Sequence, residues 1–118
     1  KTSNEEIIEV LRGSSVVING RERLEFALLL SILDAEVQKI LYLPLDVDEA
    51  LHEQYYIEAD IHSEVYLEND ILKYNVINSN IQKIEKKASY ETEWIIRSFF
   101  LQKTHHTLSV KHPPHFWH

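Results

Sequence analysis

The chain has 118 residues, 44% hydrophobic and 10% aromatic, with no cysteine and a formal net charge of −7. That is enough apolar material for one buried core, and it excludes a disordered segment, a disulfide framework and thiolate chemistry. An excess of acids, 19 against 12 Lys and Arg, also argues against a nucleic-acid partner, which needs cations to neutralise phosphates.

Charges interrupt every apolar stretch, so no membrane insertion is expected. Lys1 to Glu6 lack the basic and apolar regions of a signal peptide, and a cytoplasmic location is the expectation. Ser3 or Asn4 is placed to cap a short helix through Ile7, Ile8, Val10 and Leu11, with Glu5 and Glu6 in its first turn and Gly13 at its end. Ser15-Val16-Val17-Ile18 reads as a strand, and Asn19-Gly20 as a two-residue hairpin turn.

From Leu24 onward the even positions Leu24, Phe26, Leu28, Leu30 and Ile32 are all large and apolar, while the odd ones are mixed. Many of these residues are good helix formers, but a helix here would be apolar nearly all round. The period of two predicts a returning strand. Asp34-Ala35-Glu36 turns the chain, Ile40 to Leu43 forms the next strand, and Pro44 stops it because it has no N–H for a ladder. Asp46 to His52 suggests one or two helical turns with an Asp cap. Tyr55, Ile57, Ala59 and Ile61 alternate as a strand that pairs across His62-Ser63 with Glu64 to Leu67. Ile71 to Ile84 reads as strand broken by turns, Glu85-Lys86-Lys87 as a charged break, and Glu93 to Leu101 as a strand or a short helix. Together these elements predict a mainly β fold with short helices: an antiparallel, split-barrel-like domain over residues 1–101, with a hinge and tail over 102–118.

Two stretches, Phe26-Ala27-Leu28-Leu29-Leu30-Ser31-Ile32-Leu33-Asp34 and Ile40-Leu41-Tyr42-Leu43-Pro44-Leu45-Asp46, precede the strand pair around Tyr55 to Leu67. This order resembles the N-terminal domain of bacterial flagellar brake proteins of the PilZ family. The apolar run from Glu93, the hinge from Gln102 and the later His-Pro-Pro segment resemble the place where that domain meets a cyclic di-GMP-binding barrel. The resemblance implies a non-catalytic module in motility control, whose protein partner is a flagellar motor component or a PilZ-type barrel.

In that family the hinge reads Gln-Arg-Arg, and its guanidiniums clamp the nucleotide by stacking and bidentate bonds that Lys does not reproduce. Here Gln102 is followed by Lys103, then by Thr104, His105 and His106, and no arginine follows Arg97. Gly20 is the last glycine, so the barrel's Asp-x-Ser-x-x-Gly motif has no counterpart. Gln102, Lys103, His105 and His106 are therefore expected to form a degenerate hinge without a tight cyclic di-GMP site.

Of the 7 histidines, His105, His106, His112, His115 and His118 crowd the C-terminal stretch. A Pro-Pro segment favours polyproline II, with about 3.1 Å rise per residue, which sets His112, His115 and His118 about 9 Å apart on one face. A zinc ion holds its nitrogens at about 2.0–2.1 Å, so the extended tail does not chelate one unless it bends or dimerises. No metal and no cofactor are expected. His112, Pro113, Pro114, His115, Phe116 and Trp117 instead read as a stiffened aromatic anchor for a protein partner or a second copy of the chain.

Catalytic motifs are missing. His52 with Asp46 or Asp48, and His62 with Ser63 and Asp60, are pairs that any chain of this size contains, and no enzyme is expected. Two alternatives to the motility module are an acidic immunity or adaptor-type protein that masks a basic partner and a His-tail metal-binding protein.

Overall fold

The computed structural model describes residues 2–20, 22–83, 89–96 and 108–110. In chain order these form helix α1 (Thr2–Leu11), strand β1 (Ser15–Asn19), helix α2 (Arg23–Leu33) and strand β2 (Lys39–Leu43). A 3-10 turn (Glu49–Leu51) then leads into helix α3 (His52–Glu58), followed by strands β3 (Ser63–Glu68), β4 (Ile71–Val76), β5 (Glu93–Ile96) and β6 (Leu108–Val110). The described residues form a mixed α/β fold rather than a mainly β one, and they close no barrel. One sheet runs in the order β4-β3-β1-β2-β5-β6.

Its centre is parallel: β1 lies between β2 and β3, and β5 continues the parallel set beyond β2. The outer strands β4 and β6 are antiparallel to their neighbours. Parallel neighbours need a crossover, and α2 and α3 supply the two that flank β1. β1 is covered on both faces, which is why Ser15-Val16-Val17-Ile18 reads as a continuous run instead of an alternation. On one face Val16, Ile18, Ile40, Val65, Leu72 and Trp94 pack with Leu11 of α1 and with Phe26, Leu29, Leu30 and Leu33 of α2. On the other face Val17, Leu41 and Leu43 pack with Val47, Tyr55, Ala59 and Ile61.

Four expectations need correction. Arg23–Leu33 is a helix, and its buried residues Phe26, Leu29, Leu30 and Leu33 follow helical spacing. The apolar surplus that suggested a period of two is left in solvent, with Leu24 68% and Leu28 42% exposed. Asn19-Gly20 is accordingly not a hairpin turn, because β1 pairs parallel with β2 across the intervening helix. Tyr55 to Ile61 also begins as helix: Tyr55 and Ala59, four residues apart, are buried, whereas Ile57 is 68% exposed. The hairpin partner of β3 is then β4, joined through Asn69 and Asp70, which both take positive φ (52° and 63°). Two such residues suit the tight turn that a twisted hairpin requires, and Asn and Asp tolerate that region better than most side chains.

Most other local readings hold, the cap of α1 excepted. α1 precedes Gly13, whose φ of 81° is the left-handed value that glycine adopts at a helix end. Ser3 and Asn4 lie inside α1 instead of capping it, and the Asn4 side chain accepts a 3.0 Å bond from the Leu72 N–H of β4. The Asp48 carboxylate caps the 3-10 turn through the Ala50 N–H. Glu93–Ile96 resolves as strand. Just before it, the buried Thr92 donates to the Val37 carbonyl at 2.7 Å and accepts from the Ala35 N–H at 2.9 Å. That hydroxyl fastens the turn after α2 to the start of β5. No helix among the described residues is long and apolar enough to cross a membrane.

Candidate binding site at the strand ends

β1 and β2 end side by side, yet the helices that follow them, α2 and α3, pack on opposite faces of the sheet. In open α/β sheets this divergence opens a crevice beyond the carboxyl ends of the strands. A cavity of about 350 Å³ lies there, lined by Asn19, Gly20, Pro44, Leu45, Val47, Glu49 and His52. Leu45 packs so closely on Gly20 that a Cβ at that position would sit 2.5 Å from Leu45 Cδ2. Glycine is what lets the two loops meet.

Asn19 is fixed by its own bonds. It closes β1 on the face that carries α3, and its Nδ2 donates to the Tyr56 hydroxyl at 2.7 Å and to Glu64 Oε2 at 3.1 Å. A carboxylate only accepts, so the amide orientation follows, and Oδ1 is left as an acceptor. That atom is buried and has no hydrogen-bond partner among the described residues. His52 Nε2, from the start of α3, is in the same condition. Burial raises the Tyr56 hydroxyl above its ordinary pKa; the Asn19 bond lowers it, and Glu64 and Glu49 raise it further. Tyr56 therefore stays protonated at neutral pH.

A second cavity of about 300 Å³ lies on the other side of Tyr56, lined by Glu53, Tyr56, Ile57, Asp60, Ile61, Ile77, Asn78 and Ile81. Its rim leaves Ile57 68% and Ile77 36% exposed.

His62 and Ser63 touch, Nδ1 to Oγ at 2.6 Å, but Ser63 is fully buried and its hydroxyl is closed to any substrate. Burial, and then the nearby Lys83 charge, hold the His62 imidazole below its ordinary pKa of 6.5. The unfolded chain thus takes up this proton before the folded one does. The stability tied to a neutral His62 is complete above pH 6.5 and is lost as pH falls through the folded value. The stability difference between the wild-type chain and His62→Gln is expected to be constant above pH 6.5 and to shrink below it, as read by urea unfolding at each pH. A difference independent of pH would mean that the ring ionises freely in the fold.

The hinge residues Gln102, Lys103, His105 and His106 and the anchor His112, Pro113, Pro114, His115, Phe116 and Trp117 lie outside the described residues. His52 and Asp48 do lie near one another in sequence, but Asp48 is engaged as a backbone cap. Among the described residues, no group of three or more His, Asp or Glu is placed to hold a metal ion. The sequence does not single out Asn19, Tyr56 and Glu64: Asn19 stands in an expected turn, and Tyr56 and Glu64 stand in expected strands. The available signal was Asn-Gly directly after a wholly apolar strand, since strand–loop–helix passages are where α/β proteins place binding groups.

Compared with protein-family models, curated proteins and solved structures, the chain matches none.

Proposed function

We propose that this chain is a non-catalytic regulatory module that binds a protein partner in motility control, as its resemblance to flagellar brake proteins implies. The observation that carries the binding role is the groove beside α3. Ile57 and Ile77 expose apolar surface there, and Glu53 and Asp60 stand among the lining residues. Clustered exposed apolar side chains with a polar rim mark interaction surfaces. The acids, on a chain of net charge −7, favour a partner segment that combines apolar and basic residues. The motility role rests on the sequence likeness; its motif Phe26 to Asp34 lies largely on α2 here.

The test is swimming speed in a flagellated host that expresses the chain, compared with an Ile57→Asp variant. Ile57 is exposed, so the variant should keep its fold. Slower swimming that requires Ile57 supports the reading. Unchanged swimming with folded protein sinks the motility role. The same groove also suits an acidic adaptor that masks a basic partner, and salt-sensitive binding to a basic protein with no swimming effect would favour that second reading.

A further inference from the structure

We infer that the crevice at the carboxyl ends of β1 and β2 is a binding site for a guanidinium or ammonium group, distinct from the groove beside Ile57. Each part of this assignment follows from the chemistry of the walls. Asn19 spends both bonds of its amide nitrogen on Tyr56 and Glu64, so toward a ligand it presents only the Oδ1 lone pairs. The complementary group is an N–H or O–H donor. An anion is disfavoured, because Glu49 lines the cavity, Asp48 stands in the same loop and Glu64 lies behind Asn19. No Lys or Arg lines the cavity among the described residues.

A buried acceptor without a partner forgoes a bond that water would otherwise supply, and native structures leave few such atoms. Here one such acceptor, Asn19 Oδ1, and a second partnerless ring nitrogen, His52 Nε2, belong to residues that line one cavity. Both atoms lie within the wall, so occupancy requires the wall to yield. Leu45, 84% exposed, is the apolar lining side chain that solvent surrounds most. Pro44, Leu45 and Val47 supply an apolar collar for the alkyl stem that carries a cationic head. The cation comes either from a free small molecule or from an arginine or lysine side chain of another protein.

The experiment is a nitrogen-15 NMR titration of the full chain with methylguanidinium and, separately, with a short arginine-containing peptide. Sodium acetate and zinc chloride serve as contrasting probes. The expected result is a saturable shift of the Asn19 side-chain amide and the His52 ring. Glu49→Gln should weaken binding by roughly threefold to tenfold through loss of one exposed charge, and Asn19→Leu should abolish it. Glu49 is exposed, so its variant keeps the test decisive even if Asn19→Leu does not fold. Saturation by methylguanidinium with no gain from the peptide assigns a free small cation; tighter binding of the peptide assigns a partner side chain. No saturable shift up to the solubility limit of methylguanidinium overturns the proposal. So does a saturable response to acetate, or to zinc alone.

Discussion

Leu29→Ala is expected to cost about 2–5 kcal/mol of stability, whereas Leu24→Ala, five residues earlier in the same apolar run, should stay within about 0.5 kcal/mol. Leu29 is fully buried between α2 and the sheet, and its truncation leaves a cavity that close-packed neighbours fill only in part. Leu24 is 68% exposed and has little to lose. The contrast separates a helix from a strand directly. With a period of two, Leu24 would share the buried face with Phe26 and Leu30, and Leu29 would fall on the mixed face. Urea unfolding of both variants, with unchanged denaturant slopes, reads the two costs as midpoint shifts. A loss at Leu24 as large as or larger than that at Leu29 would return the segment to a strand.

Trp94→Ala is expected to cost about 3–5 kcal/mol, a large share of the roughly 5–15 kcal/mol that holds a domain of this kind together. Trp94 stands on β5 at 1% exposure and packs into the core shared with α1 and α2. Its Nε1 is buried with no hydrogen-bond partner among the described residues. Trp94→Phe should therefore be much milder, by about 2 kcal/mol or more relative to alanine. It keeps an aromatic ring in the site and removes a donor whose missing bond costs about 1–3 kcal/mol. Far-UV circular dichroism in urea is the suitable probe, because it does not depend on tryptophan emission. If Phe costs as much as Ala, the indole N–H has a partner that the fold depends on.

Much of the fold was readable where local chemistry and final environment agree. The α1 stop at Gly13, the β1 run Ser15 to Ile18, the strand before Pro44 and the Asp48 cap all follow from residues that act on their own backbone. The errors fall where an apolar surplus hid the period. In α2 the exposed Leu24 and Leu28 complete an even-position series that a strand would also show. In α3 the exposed Ile57 does the same between Tyr55 and Ala59. Once those two segments are taken as strands, every neighbour becomes a hairpin partner and the sheet turns antiparallel. Restoring them as helices supplies the crossovers and makes the centre parallel. The crevice was illegible for the same reason. Asn19, Gly20, Pro44 and His52 meet only because β1 and β2 end together, which no local pattern states.

The sheet order also governs the sequence of events during synthesis. β1, apolar on both faces, is made before its two neighbours, each of which arrives only after an intervening helix. The outer edge of β2 waits longer still, until Glu93 to Ile96 has been made. Between the synthesis of β2 and that of β5 the chain therefore carries an open strand edge beside a half-covered core, the kind of surface that recruits a second nascent chain. Non-local pairing of this kind slows folding and so lengthens the time for which that edge stays open.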